Sequence, residues 1–169
     1  IDDYEKSTYR IVESLYANRT LKTLVVSRNK ARSGNYKTTM EMDCVWEAMR
    51  CLPHLETLIL FNLGQDVLMG LGVAIQNLLT LTHVELHLSQ GTIRPSLLDV
   101  LRTRPKLSHI HLEVHATFDV ASLLTCPNLQ DLRIMSSNKV ALESQQIQGL
   151  IARMEKHPTL KSLDLEPSM

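Results

Sequence analysis

The chain has 169 residues, 44% hydrophobic and 21% charged, with 18 Lys and Arg matched by 18 Asp and Glu. That balance is too apolar for a disordered chain, and zero formal net charge gives no steering field toward nucleic acid or anionic lipid. No apolar run approaches the ~18 residues of a membrane span, so neither a membrane nor a nucleic-acid partner is expected.

The chain starts Ile1-Asp2-Asp3-Tyr4-Glu5-Lys6, without Met and too acidic for the n-region of a signal peptide. The expectation is one domain over 1–169, a segment of a longer cytoplasmic or nuclear chain. Ile11, Val12, Leu15 and Tyr16 mark one face of a helix, and Leu21-x-x-Leu24-x-Val26 follows as a strand. Arg28, Lys30, Arg32, Tyr36 and Lys37 form a basic insertion over 28–41, read as a solvated loop. Val45, Trp46, Met49 and Leu52 predict a second helix, which carries Cys44 and Cys51 on one face. A strand at 55–60 leads to a helix with Val67, Leu68, Leu71, Ile75 and Leu78 as its apolar face. A strand at 81–86 comes next. Thr92-Ile93-Arg94-Pro95 then reads as a helix start, with Leu97, Leu98 and Leu101 facing inward. Beyond the strand at 107–112, Phe118, Val120, Leu123 and Leu124 leave room for a single helical turn. A strand at 129–134, a helix marked by Leu142, Ile147, Leu150, Ile151 and Met154, and a strand at 160–165 complete the series.

The strands share one phrase, Leu-x-x-Leu-x-Leu with Val or Ile allowed. Its first leucines are Leu21, Leu55, Leu81, Leu107, Leu129 and Leu160, at steps of 34, 26, 26, 22 and 31 residues. The average step is about 28, inside the range of leucine-rich repeats. Pro53, Pro105, Pro127 and Pro158 all stand two residues before a first leucine. A proline there ends the preceding helix and favours extended backbone before the strand. One strand-helix unit cannot bury its own apolar face. Stacking six of them makes a continuous core between a curved parallel sheet inside and a row of helices outside, which predicts an α/β leucine-rich-repeat solenoid. Segment 4–18 is placed to cover the first strand, whereas the strand at Leu160 is expected to be an open edge.

Ala17-Asn18-Arg19-Thr20-Leu21-Lys22-Thr23-Leu24-Val25-Val26-Ser27-Arg28-Asn29 resembles the Asn-x-Thr-Leu-x-x-Leu-x-Leu-Ser-x-Asn phrase of ribonuclease-inhibitor-like leucine-rich repeats. The Pro-x-Leu-x-x-Leu-x-Leu copies are similar to those of F-box leucine-rich-repeat proteins. The resemblance covers nearly the whole chain and implies a scaffold or a substrate-recognition adaptor. The family usually places Asn or Cys about nine residues after the first leucine. Here those positions are Lys30, Gly64, Gln90, Ala116, Asn138 and Met169, so an asparagine ladder is not expected. No F-box is present in this segment.

Strand side chains alternate, so residues between the repeat leucines point away from the core. Two, four and six residues past each first leucine they form columns. The first runs Thr23, Thr57, His83, His109, Asp131, Ser162. The second runs Val25, Ile59, Glu85, His111, Arg133, Asp164, and the third Ser27, Phe61, His87, Glu113, Met135, Glu166. Val25, Ile59 and Phe61 are apolar where solvent is expected. They form a contact patch, or the 28–41 insertion or a preceding repeat covers them. The middle strands gather five of the seven histidines, counting His115, with Glu85 opposite His111 and His87 opposite Glu113. Neighbouring strands lie about 4.8 Å apart, which lets such pairs hydrogen-bond.

The expected function is non-catalytic protein–protein interaction on the concave face. Val25, Ile59 and Phe61 are the candidate anchors, and His83, Glu85, His87, His109, His111, Glu113 and Arg133 the candidate polar selectors. No cofactor is expected. P-loop, dinucleotide and nucleophile-elbow signatures are absent. The alternative is a metal-binding protein or metal-dependent enzyme using the His/Glu cluster, since two imidazoles and a carboxylate on one face are zinc-ligand types. Three cysteines, Cys44, Cys51 and Cys126, without a CxxC pair, point to a reducing compartment and small apolar roles. His54 and His157, beside strand-leading prolines, are read as structural.

Overall fold

Each leucine phrase leads into a strand, and the apolar stretches between phrases form helices. The computed structural model describes residues 3–27, 39–64, 68–89, 93–114, 120–136 and 151–167. In chain order they form α1 (Asp3–Ala17), β1 (Thr23–Ser27), α2 (Thr39–Met49), β2 (Thr57–Leu63), α3 (Leu68–Gln76) and β3 (His83–Leu88). Then come α4 (Pro95–Arg102), β4 (His109–Val114), α5 (Val120–Leu123), β5 (Asp131–Ser136) and β6 (Ser162–Pro167). Residues 151–154 are also helical. The six strands make one sheet in sequence order, and every neighbouring pair is parallel. The helices pack in the same order, α1 on α2, α2 on α3, α3 on α4 and α4 on α5. The basic insertion's Arg28, Lys30, Arg32, Tyr36 and Lys37 lie outside the described residues, as do Val67, His115, Phe118, Leu142, Ile147 and Leu150.

The strands begin two residues later than the leucine phrase predicts. The first leucine belongs instead to the turn before the strand, where Leu55, Leu81, Leu107 and Leu129 are fully buried. Its backbone is held by the preceding helix end, as in Leu81 N–H to Leu78 C=O at 3.4 Å. One lateral device then repeats five times. The carbonyls of Lys22, Glu56, Thr82, Ser108 and Gln130 each accept two consecutive N–H groups from the next unit, all between 2.8 and 3.0 Å. Sharing one carbonyl between two donors fixes where each strand starts against its neighbour.

The turns carry polar ties that the leucine pattern does not announce. Asn18 Oδ1 accepts from the backbone of Thr20 and Leu21 at 2.9 and 2.7 Å. His157, at the same repeat position, does this with Nδ1, accepting from Thr159 and Leu160 at 3.3 and 3.1 Å. That leaves its Nε2–H to donate to Cys126 C=O at 3.0 Å, so His157 is structural as expected. Arg104, again at that position, is buried and donates to Gln76 C=O of the previous unit at 2.5 Å. Burial pushes its guanidinium pKa down. Thr80 and Thr159 hydroxyls donate to Leu55 and Leu129 carbonyls, each at 2.8 Å. His54 is exposed.

The core is the paired leucine rows. Leu58, Leu60, Val84, Leu86, Ile110, Leu112 and Leu132 are essentially inaccessible, with α2 to α5 supplying Met49, Leu71, Ile75, Leu97 and Leu123. It thins at both ends, where Leu24, Val26, Leu163 and Leu165 are only half-buried. Helix α1 adds Val12 and Leu15 to the core but leaves Ile11 58% and Tyr16 42% exposed, so only half of its predicted face is covered. It packs on α2 and leaves Val25 of β1 open. Pro95 is the first residue of α4, as predicted, preceded by an extended Arg94. The step of 22 residues holds the single turn α5. Cys51 lies past the end of α2 rather than on its face, and Cys44 and Cys51 are half-buried. Cys126 is buried, and desolvation pushes its thiol pKa up to about 11 against a weaker opposing pull from Arg102. No helix among the described residues is long and apolar enough to cross a membrane.

Leu112→Ala should lower unfolding free energy in urea by about 2–5 kcal/mol, and Leu165→Ala by clearly less. Equal losses would contradict a core that thins toward β6. Gly70 on α3 lies against Trp46, and a Cβ there would overlap indole Cδ1, whereas Gly72 has open space. Gly72→Ala should therefore stabilise by up to about 1 kcal/mol through helix propensity. Gly70→Ala should destabilise by about 1–3 kcal/mol, read by thermal or urea unfolding. With Ellman's reagent at about pH 8, Cys126 should react only after denaturation, while Cys44 and Cys51 react in the native protein. Three fast native thiols would show that Cys126 is not sealed.

Candidate functional site

The outward columns are assembled by strand register. Thr23, Thr57, His83, His109, Asp131 and Ser162 align across the sheet, as do Val25, Ile59, Glu85, His111, Arg133 and Asp164. On β3 and β4 the alternation is strict, with Val84, Leu86, Ile110 and Leu112 inward and the His and Glu residues half-buried outward. The third column has one break. Between Leu60 and Leu63 the register against β3 shifts, and Asn62 adopts a positive φ of 57°. Asn tolerates that left-handed conformation better than most residues. Phe61 still pairs with Ser27, and its ring stacks on His87 with centroids 4.4 Å apart.

His87 is the centre of the polar network. Its Nδ1 lies 2.7 Å from Glu113 Oε2, the cross-strand pair predicted from sequence. Its Nε2 lies 2.6 Å from Glu85 Oε1 on the same strand. Glu85 was expected to hydrogen-bond His111, its register partner. The Cα atoms do pair, but the carboxylate reaches along β3 to His87, because strand side chains lean along the strand as well as across it. His111 turns to the other side, with Nε2 3.3 Å from Asp131 Oδ1 on β5. Asp131 is the participant that sequence reasoning placed in a column without assigning it a role. Opposite charge next to His111 was the available signal.

The other oxygen of Glu85, Oε2, lies 3.7 Å from His83 Nε2. The His83 ring stacks on His109 at 5.8 Å and meets His111 edge-on at 5.0 Å. His109 is held separately by Ser108, whose Oγ is 2.9 Å from Nδ1. Burial, then the neighbouring His111 and His109 charges, hold the His83 pKa below the usual histidine value against the pull of Glu85. For Glu85, burial pushes the pKa up. The hydrogen bond and charge of His87, with His111 and His83 behind, outweigh it and hold the carboxyl below the usual range. His83 Nε2, His111 Nε2 and Asp131 Oδ1 are sealed from solvent without a well-aligned hydrogen bond; the 3.3 Å His111–Asp131 approach is close but poorly directed.

Toward the ends the face changes character. Arg133 Nε approaches Asp164 Oδ2 at 3.4 Å, with Arg133 largely open. On the other side Val25 is 54% exposed, and Ile59 and Phe61 are half-buried. The structure thus groups Ile59, Phe61, His83, Glu85, His87, His109, His111 and Glu113 on adjoining strands. Val25 and Arg133 flank them.

No protein-family model matches this sequence, and no curated protein matches it. Among solved structures, the chain is similar to leiomodin-1 actin-binding site 2, at TM-score 0.56 and 14% identity over 92% of each chain. It is also similar to the tropomodulin C-terminal domain of Caenorhabditis elegans, at TM-score 0.45 and 17% identity, over 99% of this chain and 84% of that one. The fold is a leucine-rich-repeat solenoid. At such identity the leiomodin likeness speaks for this architecture alone. The function of the solenoid has to be argued from its own outward columns.

Proposed function

We propose that this chain is a non-catalytic protein-interaction module whose partner docks on the concave face of the sheet. The observation that carries the reading is the apolar step Val25, Ile59 and Phe61 at outward positions, directly beside the ordered His/Glu network. Phe61 is held in place by stacking on His87, and an immobilised aromatic ring contributes contact area at low entropic cost. His83, Glu85, His87, His109, His111, Glu113 and Arg133 are the proposed selectors. Glu85, Glu113, Asp131 and Asp164 outnumber Arg133 in fixed charge, which favours a partner presenting basic residues. The solved neighbour named as an actin-binding site supports a binding role for such a solenoid. It does not identify this chain's partner. The ribonuclease-inhibitor-like resemblance supports a scaffold or adaptor role, and the unpaired thiols support a cytoplasmic or nuclear setting.

The test is partner capture from cell extract on immobilised wild type, followed by affinity measurement with the recovered partner. Ile59→Ala with Phe61→Ala should weaken binding by roughly 10-fold or more while the melting temperature changes little. Val73→Ser on α3, exposed on the helical side, should leave binding unchanged. A variant that loses stability instead would show Ile59 and Phe61 to be core. Loss of binding only in Val73→Ser would move the interface to the helices.

A further inference from the structure

We propose that His83, Glu85 and His111 form a binding site for one divalent transition-metal ion of the zinc class. A ring nitrogen from each histidine and a carboxylate oxygen of Glu85 all lie within 4.8 Å of one another. The Nε2 atoms of His83 and His111 are also two of the three buried side-chain polar atoms without a hydrogen bond among the described residues. An unpaired buried polar atom costs about 1–3 kcal/mol, and a shared cation satisfies both lone pairs at once. The third such atom, Asp131 Oδ1, sits 3.3 Å from His111 Nε2. It offers a fourth ligand or a neighbouring countercharge.

The surroundings hold the donor side chains in place. The His83 ring is fixed between neighbours, stacked on His109 at 5.8 Å and edge-on to His111 at 5.0 Å. His87 holds Glu85 Oε1 at 2.6 Å and leaves Oε2 on the His83 side. His87 is itself fixed by Glu113, so the ligand carboxylate has an oriented support behind it. Two carboxylates beside a doubly charged cation leave the site near neutrality. Tetrahedral zinc with bonds of about 2.0–2.2 Å needs donors roughly 3.3–3.5 Å apart. Reaching that spacing takes rotation of three half-buried side chains on strands whose backbone register is already set. Imidazole donors select zinc, cobalt or nickel over calcium and magnesium, which prefer oxygen alone.

This inference does not rest on the docking reading, because its readout is metal content rather than partner affinity. Untagged protein, stripped with EDTA and dialysed, should take up one zinc per chain by calorimetry and elemental analysis. Cobalt substitution should give the visible spectrum of a tetrahedral nitrogen–oxygen site without a thiolate charge-transfer band. His83→Gln with His111→Gln should bind at least about 100-fold more weakly while keeping its circular dichroism spectrum. Glu85→Gln serves as a second variant should the double substitution not fold. No stoichiometric zinc in the wild type, affinity unchanged in the folded variants, or a cobalt–thiolate band would each overturn the proposal.

Discussion

The shared carbonyl between each pair of neighbouring strands is the constraint on which the rest depends. Lys22, Glu56, Thr82, Ser108 and Gln130 each receive two N–H groups from the unit that follows. Because strand side chains alternate with a period of two, a slip of one residue would send Val84 and Leu86 to solvent and bury His83, Glu85 and His87. Removing those three half-buried polar groups from water without partners would be far costlier than losing one ladder bond. The lateral bonds and the leucine rows therefore specify the same register, and each protects the other. The outward columns are a consequence of that agreement.

Within the columns, the contacts follow from spacing. Adjacent strands bring side chains about 5 Å apart, which suits ring stacking and short His–carboxylate bonds. Three histidines on two strands crowd one another, and burial together with that crowding lowers the pKa of His83. Glu85 answers part of that crowding by sharing its two oxygens between His87 and His83. Arg133 and Asp164 continue the column without joining the histidine group. The face is thus a graded surface, from apolar at β1 and β2, through titratable at β3 and β4, to charged at β5 and β6.

Much of this was legible in the sequence because it is periodic. The leucine phrase and the four aligned prolines determine strand order, parallel pairing and column membership, and these match except where the register shifts between β2 and β3 in the third column. What was not legible is aperiodic. The strands start two residues late because the first leucine serves the turn, a role that hydrophobicity alone cannot separate from a strand position. The bulge at Asn62 depends on one left-handed residue. The choice of Glu85 between His87 and His111 depends on side-chain reach along a strand, which register does not encode. Arg104 and His157 tie consecutive turns through side chains of unrelated chemistry, so no repeated letter marks the position.

The place of the histidine cluster in the array has its own logic. Stability in a solenoid is shared between neighbouring units, so a unit with partners on both sides resists local opening better than one at an end. Leu24, Val26, Leu163 and Leu165 are half-buried, whereas their counterparts on β3 and β4 are sealed. The members of the polar network, His83, Glu85, His87, His111 and Glu113, all stand on those two central strands. Val25, exposed and apolar, stands on the first strand, where the core is thinner. A side chain that acts by direction gains from a rigid backbone, and one that acts by contact area does not require it. The distribution of chemistry along the sheet follows the distribution of burial beneath it.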